Sequence, residues 1–182
     1  MSKSDDAQLV REALTGDMKA FERLIDKYQR PLYNAALRMT GDRDDAGDIV
    51  QTVFIRVYEN LESYDPKYKF FSWVYRMMMN EAINFINRNK PKVSLNQSLV
   101  SDEPRPDEKY ASKRLSQCVE DAIAELPLDY RVAIIFRHWA DLPYRDIGFI
   151  LDIPEKTVKS RLYSARRMLA ELLSKRGLLA DG

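Results

Sequence analysis

Cysteine and histidine are nearly absent from this sequence, which contains only Cys118 and His138. A single cysteine excludes a disulfide bond within the chain. One cysteine and one histidine are also too few to supply the Cys/His ligand set of a zinc site. We therefore expect no metal and no cofactor, and we expect both side chains to pack between helices.

Long apolar segments and a strong net charge are missing as well. No stretch approaches the roughly 18 consecutive apolar residues that suggest a membrane-spanning helix, and the N-terminal MSKSDDAQLVREAL has no apolar run of the signal-peptide kind. These absences predict a cytoplasmic protein. The formal net charge is only +1, from 29 basic and 28 acidic residues. A nucleic-acid-binding protein of this composition has to concentrate its positive charge locally.

The charge is in fact segregated along the chain. Residues 41–48 contain four acidic side chains and one arginine, whereas residues 69–92 contain five basic side chains and one glutamate. Residues 155–176 contain seven basic and two acidic side chains. Acidic and basic segments that alternate in this way predict at least two partners of opposite character.

Apolar residues follow helical spacing over about 5–88 and again over 110–173, and no strand-like alternation of useful length occurs. Between these blocks lies NKPKVSLNQSLVSDEPRPDEK, which has three prolines and few large apolar residues. Such a segment cannot form a helix that buries one face. The sequence predicts an all-α fold of two small helical domains, 1–90 and 112–182, joined by a flexible linker at 91–111. Breaks within the first block are expected at Gly16, Pro31, Gly41 and Pro66.

The C-terminal block contains short helices separated by sharp turns. Helices are predicted at 112–125, 129–139 and 144–151, and a longer one begins at PEKTVKSRLYSARRMLAELL after the turn DIP. A short helix, a tight turn and a basic amphipathic helix have the spacing of a helix-turn-helix. Asp152 occupies a turn position that favours left-handed backbone geometry, which aspartate tolerates better than most residues.

The last helix has an apolar stripe at Val158, Leu162, Ala165, Leu169 and Leu172, and its opposite face carries basic side chains and Tyr163. This face is suited to duplex DNA. An amphipathic surface helix that binds nothing and a helical hairpin without a DNA role are the alternatives.

The segment DDAGDIVQTVFIRVYENL projects as a helix with Val50, Val53, Phe54 and Val57 on its core face. Acidic, polar and apolar side chains share the other face. Such a mixture is typical of a protein-docking surface. The alternative is a first helical turn made acidic to suit the helix dipole.

The segment YDPKYKFFSWVYRMMMNEAINFINRNK combines an aromatic, lysine-rich loop with a second amphipathic helix. The predicted core face is Tyr75, Met78, Ala82, Phe85 and Ile86. The opposite face is Trp73, Met77, Asn80, Asn84 and Asn87, flanked by Arg76 and Arg88. Aromatic rings, amides and cations on one face suit single-stranded nucleic acid. A tryptophan half-buried under a neighbouring helix is the alternative.

The order of these parts resembles the bacterial extracytoplasmic-function (ECF) sigma factors, the two-domain group of the sigma-70 superfamily. LVREALTGDMKAFERLIDKYQRPLYNAAL resembles the opening helices, DDAGDIVQTVF the core-polymerase docking segment and FFSWVYRMMMNEAINFINR the promoter −10 segment. LPLDYRVAIIFRHWADLPYRDIGFILDIPEKTVKSRLYSARRML resembles the −35-reading domain. The resemblance covers essentially the whole chain, in order.

The resemblance implies a sigma factor that binds core RNA polymerase, directs it to −35 and −10 promoter elements and helps to open the DNA, without being an enzyme. Docking on the β′ clamp helices and the β subunit would involve Asp45, Asp48, Gln51, Thr52 and Ile55. Contacts to −10 DNA would involve Tyr68, Lys69, Phe70, Ser72, Trp73, Arg76, Asn80 and Asn84. Contacts to −35 DNA would involve Lys156, Thr157, Lys159, Ser160, Tyr163, Ser164 and Arg167.

Three further expectations follow from the resemblance. An inhibitory anti-sigma factor is implied, which would also hold the protein at the membrane, away from the nucleoid. The linker would lie along the RNA path of the polymerase, with Asp102, Glu103, Asp107 and Glu108 imitating RNA phosphates. Three positions depart from the family pattern: Gly47 replaces an acidic residue, Ser164 a basic residue and Gly148 an alanine, the last at a helix-propensity cost of about 1 kcal/mol.

Other classes of protein remain in contention on the residues alone. A helix-turn-helix repressor or activator would bind duplex operator DNA without polymerase. An enzyme with a metal site at Asp42–Asp48 lacks histidine, cysteine or another convergent ligand nearby. A purely structural helical adaptor leaves the basic face of the last helix unexplained.

Overall fold

The computed structural model describes residues 3–88 and 108–178, with side chains placed for 5–88 and 115–178. These ranges contain eight α-helices and no strand, which confirms the all-α prediction and is consistent with two helical domains. The first four helices are α1 (Lys3–Leu14), α2 (Met18–Thr40), α3 (Arg43–Glu59) and α4 (Phe70–Arg88), with a short 3₁₀ turn at Leu61–Ser63 before α4. The second four are α5 (Glu108–Ala124), α6 (Leu128–His138), α7 (Tyr144–Leu151) and α8 (Glu155–Lys175).

The predicted linker lies mostly outside the described residues, as do Asp102, Glu103 and Asp107. The expected imitation of RNA phosphates therefore stays a prediction. Of those four acidic residues, only Glu108 has a described backbone position, at the start of α5.

The ends of α2 follow from local side-chain and backbone chemistry. Asp17 caps its start by accepting a hydrogen bond from the backbone N–H of Lys19 at 2.9 Å. Gly41 ends it at φ 79°, a left-handed conformation that glycine adopts at little cost, and donates its N–H to the carbonyl of Leu37 at 2.7 Å.

Pro31 does not break this helix, and the prediction of a break there is wrong. The helix runs through Pro31 without interruption from Met18 to Thr40. Proline inside a helix costs about 3 kcal/mol because it removes a backbone hydrogen bond and crowds the preceding turn. Burial of neighbouring side chains such as Tyr28 and Leu32, both fully buried, offsets that cost, because tertiary packing supplies most helix stability in proteins.

The buried apolar side chains form one continuous cluster that spans both groups of helices. Tyr75 of α4 and Phe136 of α6 make the connection, with their ring centroids 5.7 Å apart in an edge-to-face arrangement. Both rings are buried, and burial raises the pKa of the Tyr75 hydroxyl. The two helical groups therefore pack directly against each other.

Arg131 of α6 makes a polar connection between the two groups. Its guanidinium donates to the carbonyl of Met39 near the end of α2 at 3.0 Å, and to the carbonyls of Ala124 and Leu126 in its own domain. Burial lowers the pKa of this guanidinium. Cations are favoured beside the unpaired carbonyls at helix C-termini, so this placement compensates part of the cost of desolvation.

Cys118 and His138 differ in their packing. Cys118 is half-buried in α5, whereas His138 is largely exposed in the last turn of α6. The expectation that His138 packs between helices is therefore wrong, because that turn points its side chain outward. Partial desolvation, together with Arg166 and Arg137, lowers the pKa of the imidazole.

Candidate polymerase-docking and nucleic-acid surfaces

The docking residues predicted from the sequence lie along one side of α3. Asp48, Gln51 and Ile55 are exposed, and Thr52 is half-buried beside them. Ile55 has 60% of its surface accessible, so most of this apolar side chain is exposed to solvent. The opposite face packs inward as predicted, since all four of its predicted core residues are buried.

The start of α3 concentrates negative charge. Asp42 caps the helix by accepting hydrogen bonds from the backbone N–H groups of Asp44 and Asp45 at 2.8 and 3.0 Å. Partial desolvation, followed by repulsion from Asp42, Asp48 and Asp44, raises the pKa of the Asp45 carboxyl. The turn thus serves the helix dipole and also presents carboxylates on the helix that carries the exposed Ile55, so the two interpretations of this segment are compatible.

The loop before α4 presents Tyr68 and Lys69 to the surface, with Tyr68 46% accessible. Along α4, Asn80 and Asn84 are exposed and Arg76 is half-buried. Trp73 is half-buried, with its ring centroid 5.5 Å from that of Tyr64 and 5.7 Å from that of Phe70. Trp73 is therefore a surface ring supported from beneath by other aromatic side chains.

Phe70 and Ser72 require a correction, because the structure buries both predicted −10 DNA contacts. Phe70 is 1% accessible, with its ring centroid 5.3 Å from Tyr64 and 5.8 Å from Tyr28. Ser72 is 3% accessible, and its hydroxyl has no hydrogen-bond partner among the described residues. The helix begins at Phe70 and is covered on more than one side, since Phe70 and Ser72 lie about 200° apart around its axis and both are buried.

Glu81 of α4 is a buried charge that no local pattern singles out. One carboxylate oxygen lies 2.7 Å from Arg56 of α3, and the other lies 3.0 Å from Arg88. Arg56 directly follows Ile55 at the edge of the docking side of α3. The Arg56 pair connects the docking helix with the helix that carries Trp73 and the asparagines, whereas the Arg88 pair lies within α4.

The C-terminal helix-turn-helix forms as predicted, with α7 at the predicted bounds. Asp152 ends α7 with φ 55° and ψ 45°, the expected left-handed conformation. On α8, Lys156, Lys159, Ser160 and Arg167 are exposed. Tyr163 is also exposed, with 65% of its surface accessible, while Thr157 and Ser164 are half-buried. Of the apolar stripe, Val158, Leu162 and Ala165 are buried, whereas Leu169 and Leu172 are half-buried.

The structure explains why position 148 is glycine and not the alanine of the family pattern. A Cβ at this position would lie 2.8 Å from the backbone oxygen of Ile153, closer than real Cβ atoms approach. The N–H of Ile153 donates to the carbonyl of Gly148 at 3.0 Å and closes the turn. Glycine therefore permits the close approach between α7 and the turn, which explains the departure from alanine.

The loop before α4 is in contact with α7. Tyr68 stacks on Phe149, with centroids 4.4 Å apart and 23° between the ring planes. Lys69 pairs with Asp146 at 2.8 Å. Arg76 lies 5.5 Å from the Phe149 centroid and 3.6 Å from an Asp152 oxygen. The sequence carried no signal for these contacts, because the residues are far apart in the chain and neither partner has a distinctive motif.

The described residues contain neither a metal-binding cluster nor a membrane-spanning helix. No group of three or more His, Cys, Asp or Glu side chains in residues 3–88 and 108–178 is placed to hold a metal ion. Over the same ranges, no helix is both long enough and apolar enough to cross a membrane.

Comparison with known proteins matches this architecture in both halves. The Sigma-70 region 2 family model matches residues 24–91, and the Sigma-70 region 4 model matches residues 116–169. The ECF RNA polymerase sigma factor SigW of Bacillus subtilis is 33% identical over 176 residues, covering 90% of this chain and 94% of that protein. The ECF RNA polymerase sigma-E factor of Haemophilus influenzae is 32% identical, with 90% and 93% covered.

Solved structures share the fold. CnrH, in complex with the cytosolic domain of CnrY, has a TM-score of 0.74 at 22% identity and covers 94% of this chain and 98% of its own. RpoE of Bartonella quintana, in complex with the anti-sigma factor NepR, has a TM-score of 0.70 at 22% identity, with 86% and 98% covered.

This chain belongs to the sigma-70 family, the promoter-specificity subunits of bacterial RNA polymerase, and within it to the ECF group. Nothing in these matches favours the repressor alternative.

Proposed function

We propose that the chain binds core polymerase through α3, captures the opened −10 element through the Tyr68–Lys69 loop and α4, and holds the −35 element with α8. The observation that carries this assignment is the match of the two sigma regions to the two helical groups that display these surfaces. We assign residues 1–90 to region 2, 91–111 to the linker and 112–182 to region 4. The role is regulatory rather than enzymatic.

Binding energy, not covalent chemistry, would separate the DNA strands. Unstacking a base costs about a few kcal/mol, and stacking it on an aromatic side chain returns about 1–3 kcal/mol. Tyr68 is exposed and Trp73 is partly exposed, and the same helix as Trp73 carries the exposed amides of Asn80 and Asn84. Capture of one or two bases offsets local melting, provided that the polymerase holds the chain in register.

The exposed face of α8 would enter the major groove at the −35 element. Lys156, Lys159 and Arg167 are cations for phosphates, while Ser160 and Tyr163 offer hydroxyl groups for base edges or phosphates. Since the net charge is only +1, association with polymerase would supply most of the positioning for promoter binding. A duplex-binding regulator would have no need for that help.

Docking on the β′ clamp helices would combine the carboxylates at the start of α3 with the exposed Ile55 side chain. Asp48→Arg should reduce the recovery of core polymerase in a pull-down. Asp26→Arg makes the same charge change at an exposed position of α2 and serves as the matched control. Equal recovery with both variants would contradict the docking assignment.

Run-off transcription with purified core polymerase and a promoter library tests the function as a whole. We expect specific transcripts only when the chain and core polymerase are both present. Tight operator binding by the chain alone, without polymerase-dependent transcripts, would instead identify a repressor or activator. The same assay identifies the −10 and −35 sequences.

The partners and location follow from this role. Promoter DNA, duplex and single-stranded, and core polymerase are the working partners, so the protein would act in the cytoplasm on the nucleoid. Two structural neighbours were solved in complexes, one of them with a protein named as an anti-sigma factor. We infer that an anti-sigma factor, anchored at the membrane, also controls this chain.

A further inference from the structure

One set of contacts brings predicted −10 residues against the domain that reads the −35 element. Three side chains of the first helical group, Tyr68, Lys69 and Arg76, meet three of α7: Phe149, Asp146 and Asp152. We call these six residues the latch.

The chemistry of the latch repeats that of single-stranded DNA binding. A base captured by Tyr68 would stack flat on its ring, and Phe149 already does so at 4.4 Å and 23°. DNA phosphates would pair with Lys69 and Arg76, and the carboxylates of Asp146 and Asp152 lie 2.8 and 3.6 Å from those cations. One ring and two carboxylates on a single short helix thus stand where a base and two phosphates would bind.

The latch covers one DNA surface and leaves the other free. The α7 side chains contact the −10 loop, whereas Lys156, Ser160 and Arg167 on the adjacent helix α8 remain exposed. Each of its two ion pairs includes a side chain that is more than half exposed, Lys69 at 54% and Asp152 at 84%, and water and salt weaken such pairs. The latch is therefore suited to competition and release rather than to permanent closure.

We propose that α7 is an internal mimic of −10 single-stranded DNA, which blocks the Tyr68–Lys69–Arg76 surface until partners open the molecule. The inference rests on the proposed sigma function. It requires that the closed latch weaken the binding of single strands by the free chain and leave its affinity for −35 duplex unaffected. Only molecules with an open latch can bind the strand.

Variants on the α7 side test this without altering any −10 residue. Asp146→Asn with Asp152→Asn removes both latch charges, and asparagine retains the tolerance for left-handed geometry at position 152. Asp129→Asn with Asp141→Asn makes the same charge change at exposed positions of the same helical group that lie outside the latch. Phe149→Ala removes the stacking ring in a separate variant.

Fluorescence anisotropy of the full-length free protein would be measured at one salt concentration. The probes are a labelled oligothymidine, the non-template −10 strand of a promoter recovered by run-off transcription, and a −35 duplex. We expect both latch variants to bind the single strands about threefold to tenfold more tightly than wild type, as the competent fraction rises. The duplex affinity should be unchanged, and the control pair should match wild type.

An equal gain in single-strand affinity in the latch pair and the control pair would show that only net charge matters, and would contradict the proposal that α7 imitates DNA. Unchanged single-strand binding in both Phe149→Ala and the latch pair would overturn it as well. A parallel titration of wild-type protein with core polymerase separates this result from the proposed function. If the complex with core polymerase does not bind the −10 strand, the sigma assignment is wrong. If the complex binds the strand while the free latch variants bind it no more tightly than the control pair does, only the proposal that α7 imitates DNA is wrong.

Discussion

The two candidate DNA surfaces of this chain share one kind of chemistry but differ in accessibility. On α8, the cations and Tyr163 project from a helix whose other side is buried against its own domain. Around the start of α4, the cations and Tyr68 lie against α7 of the other domain. The exposure of a binding surface in one domain can therefore depend on how a second domain packs against it. The two surfaces should therefore respond differently to mutation.

Trp73→Ala should have the largest effect and should affect only the α4 surface. Loss of one stacked base removes about 1–3 kcal/mol from open-complex formation. Permanganate footprinting at full promoter occupancy should show reduced melting, while closed binding is retained. Trp73→Phe keeps a ring and should recover part of the melting. Unchanged reactivity in Trp73→Ala would remove Trp73 from the base-capturing surface.

Glu81→Gln should destabilise the first helical group by about 2 kcal/mol, because it removes the charge from the buried ion pair with Arg56 and from the hydrogen bond that Arg88 donates. The carboxylate is buried and pairs with Arg56 and Arg88 across α3 and α4. Urea unfolding measures the loss. Asp121→Gln replaces an exposed carboxylate of α5 and should change little; an equal loss in both variants would argue against a special role for the buried cluster.

Gly148→Ala should destabilise the second helical group by about 1 kcal/mol. Overpacking costs about 1–3 kcal/mol, and the gain in helix propensity returns up to about 1 kcal/mol. The strain arises at the backbone oxygen of Ile153, which cannot move without disturbing the turn. A higher thermal midpoint for Gly148→Ala would show that the turn relaxes freely.

Lys156→Ala and Arg167→Ala should act only on the α8 surface. Each should weaken −35 duplex binding by the holoenzyme and make the salt dependence of log K shallower by about one unit, the effect of one lost phosphate contact. Lys175→Ala removes an exposed cation near the end of the same helix and should leave the slope unchanged. An unaltered slope in the first two variants would exclude those side chains from the phosphate contacts.

Gly47→Ala should have the smallest effect and the opposite sign to Gly148→Ala. A Cβ at Gly47 meets no atom within 4 Å, so the substitution should stabilise α3 by up to about 1 kcal/mol through helix propensity alone. Urea unfolding would measure the gain. Gly47→Glu would in addition place an acid on the docking helix, and we expect it to strengthen polymerase binding. A loss of stability in Gly47→Ala would reveal a constraint on this surface beyond the contacts around it.

Features governed by short-range rules were predictable from the sequence. The bounds of α7, the left-handed Asp152 and the buried stripe of α8 follow from spacing, turn chemistry and periodicity within a few residues. Pro31 and Phe70 were not predictable in the same way. Pro31 persists inside α2 because packing outweighs a local penalty, and Phe70 is buried because α4 begins earlier than a loop-like composition indicates.

The least predictable features join residues that are distant in the chain. Glu81 looks like an ordinary surface glutamate until α3 brings Arg56 to 2.7 Å. The contact between Tyr68 and Phe149 depends on how two helical groups meet, and no local pattern reports that geometry. The same holds for Gly148. Glycine lowers the helix propensity at this position, but the close approach of the turn leaves no room for a Cβ atom.

Sequence alone determined that this chain is all-α, that its charges are segregated and that it resembles an ECF sigma factor, because periodicity and motif order are properties of the chain itself. The packing of the helices sets which predicted contact residues are buried and which charges are paired. It also covers one candidate DNA surface and leaves the other exposed. Burial and pairing depend on distances between helices, and those distances are set by the packing of the whole core.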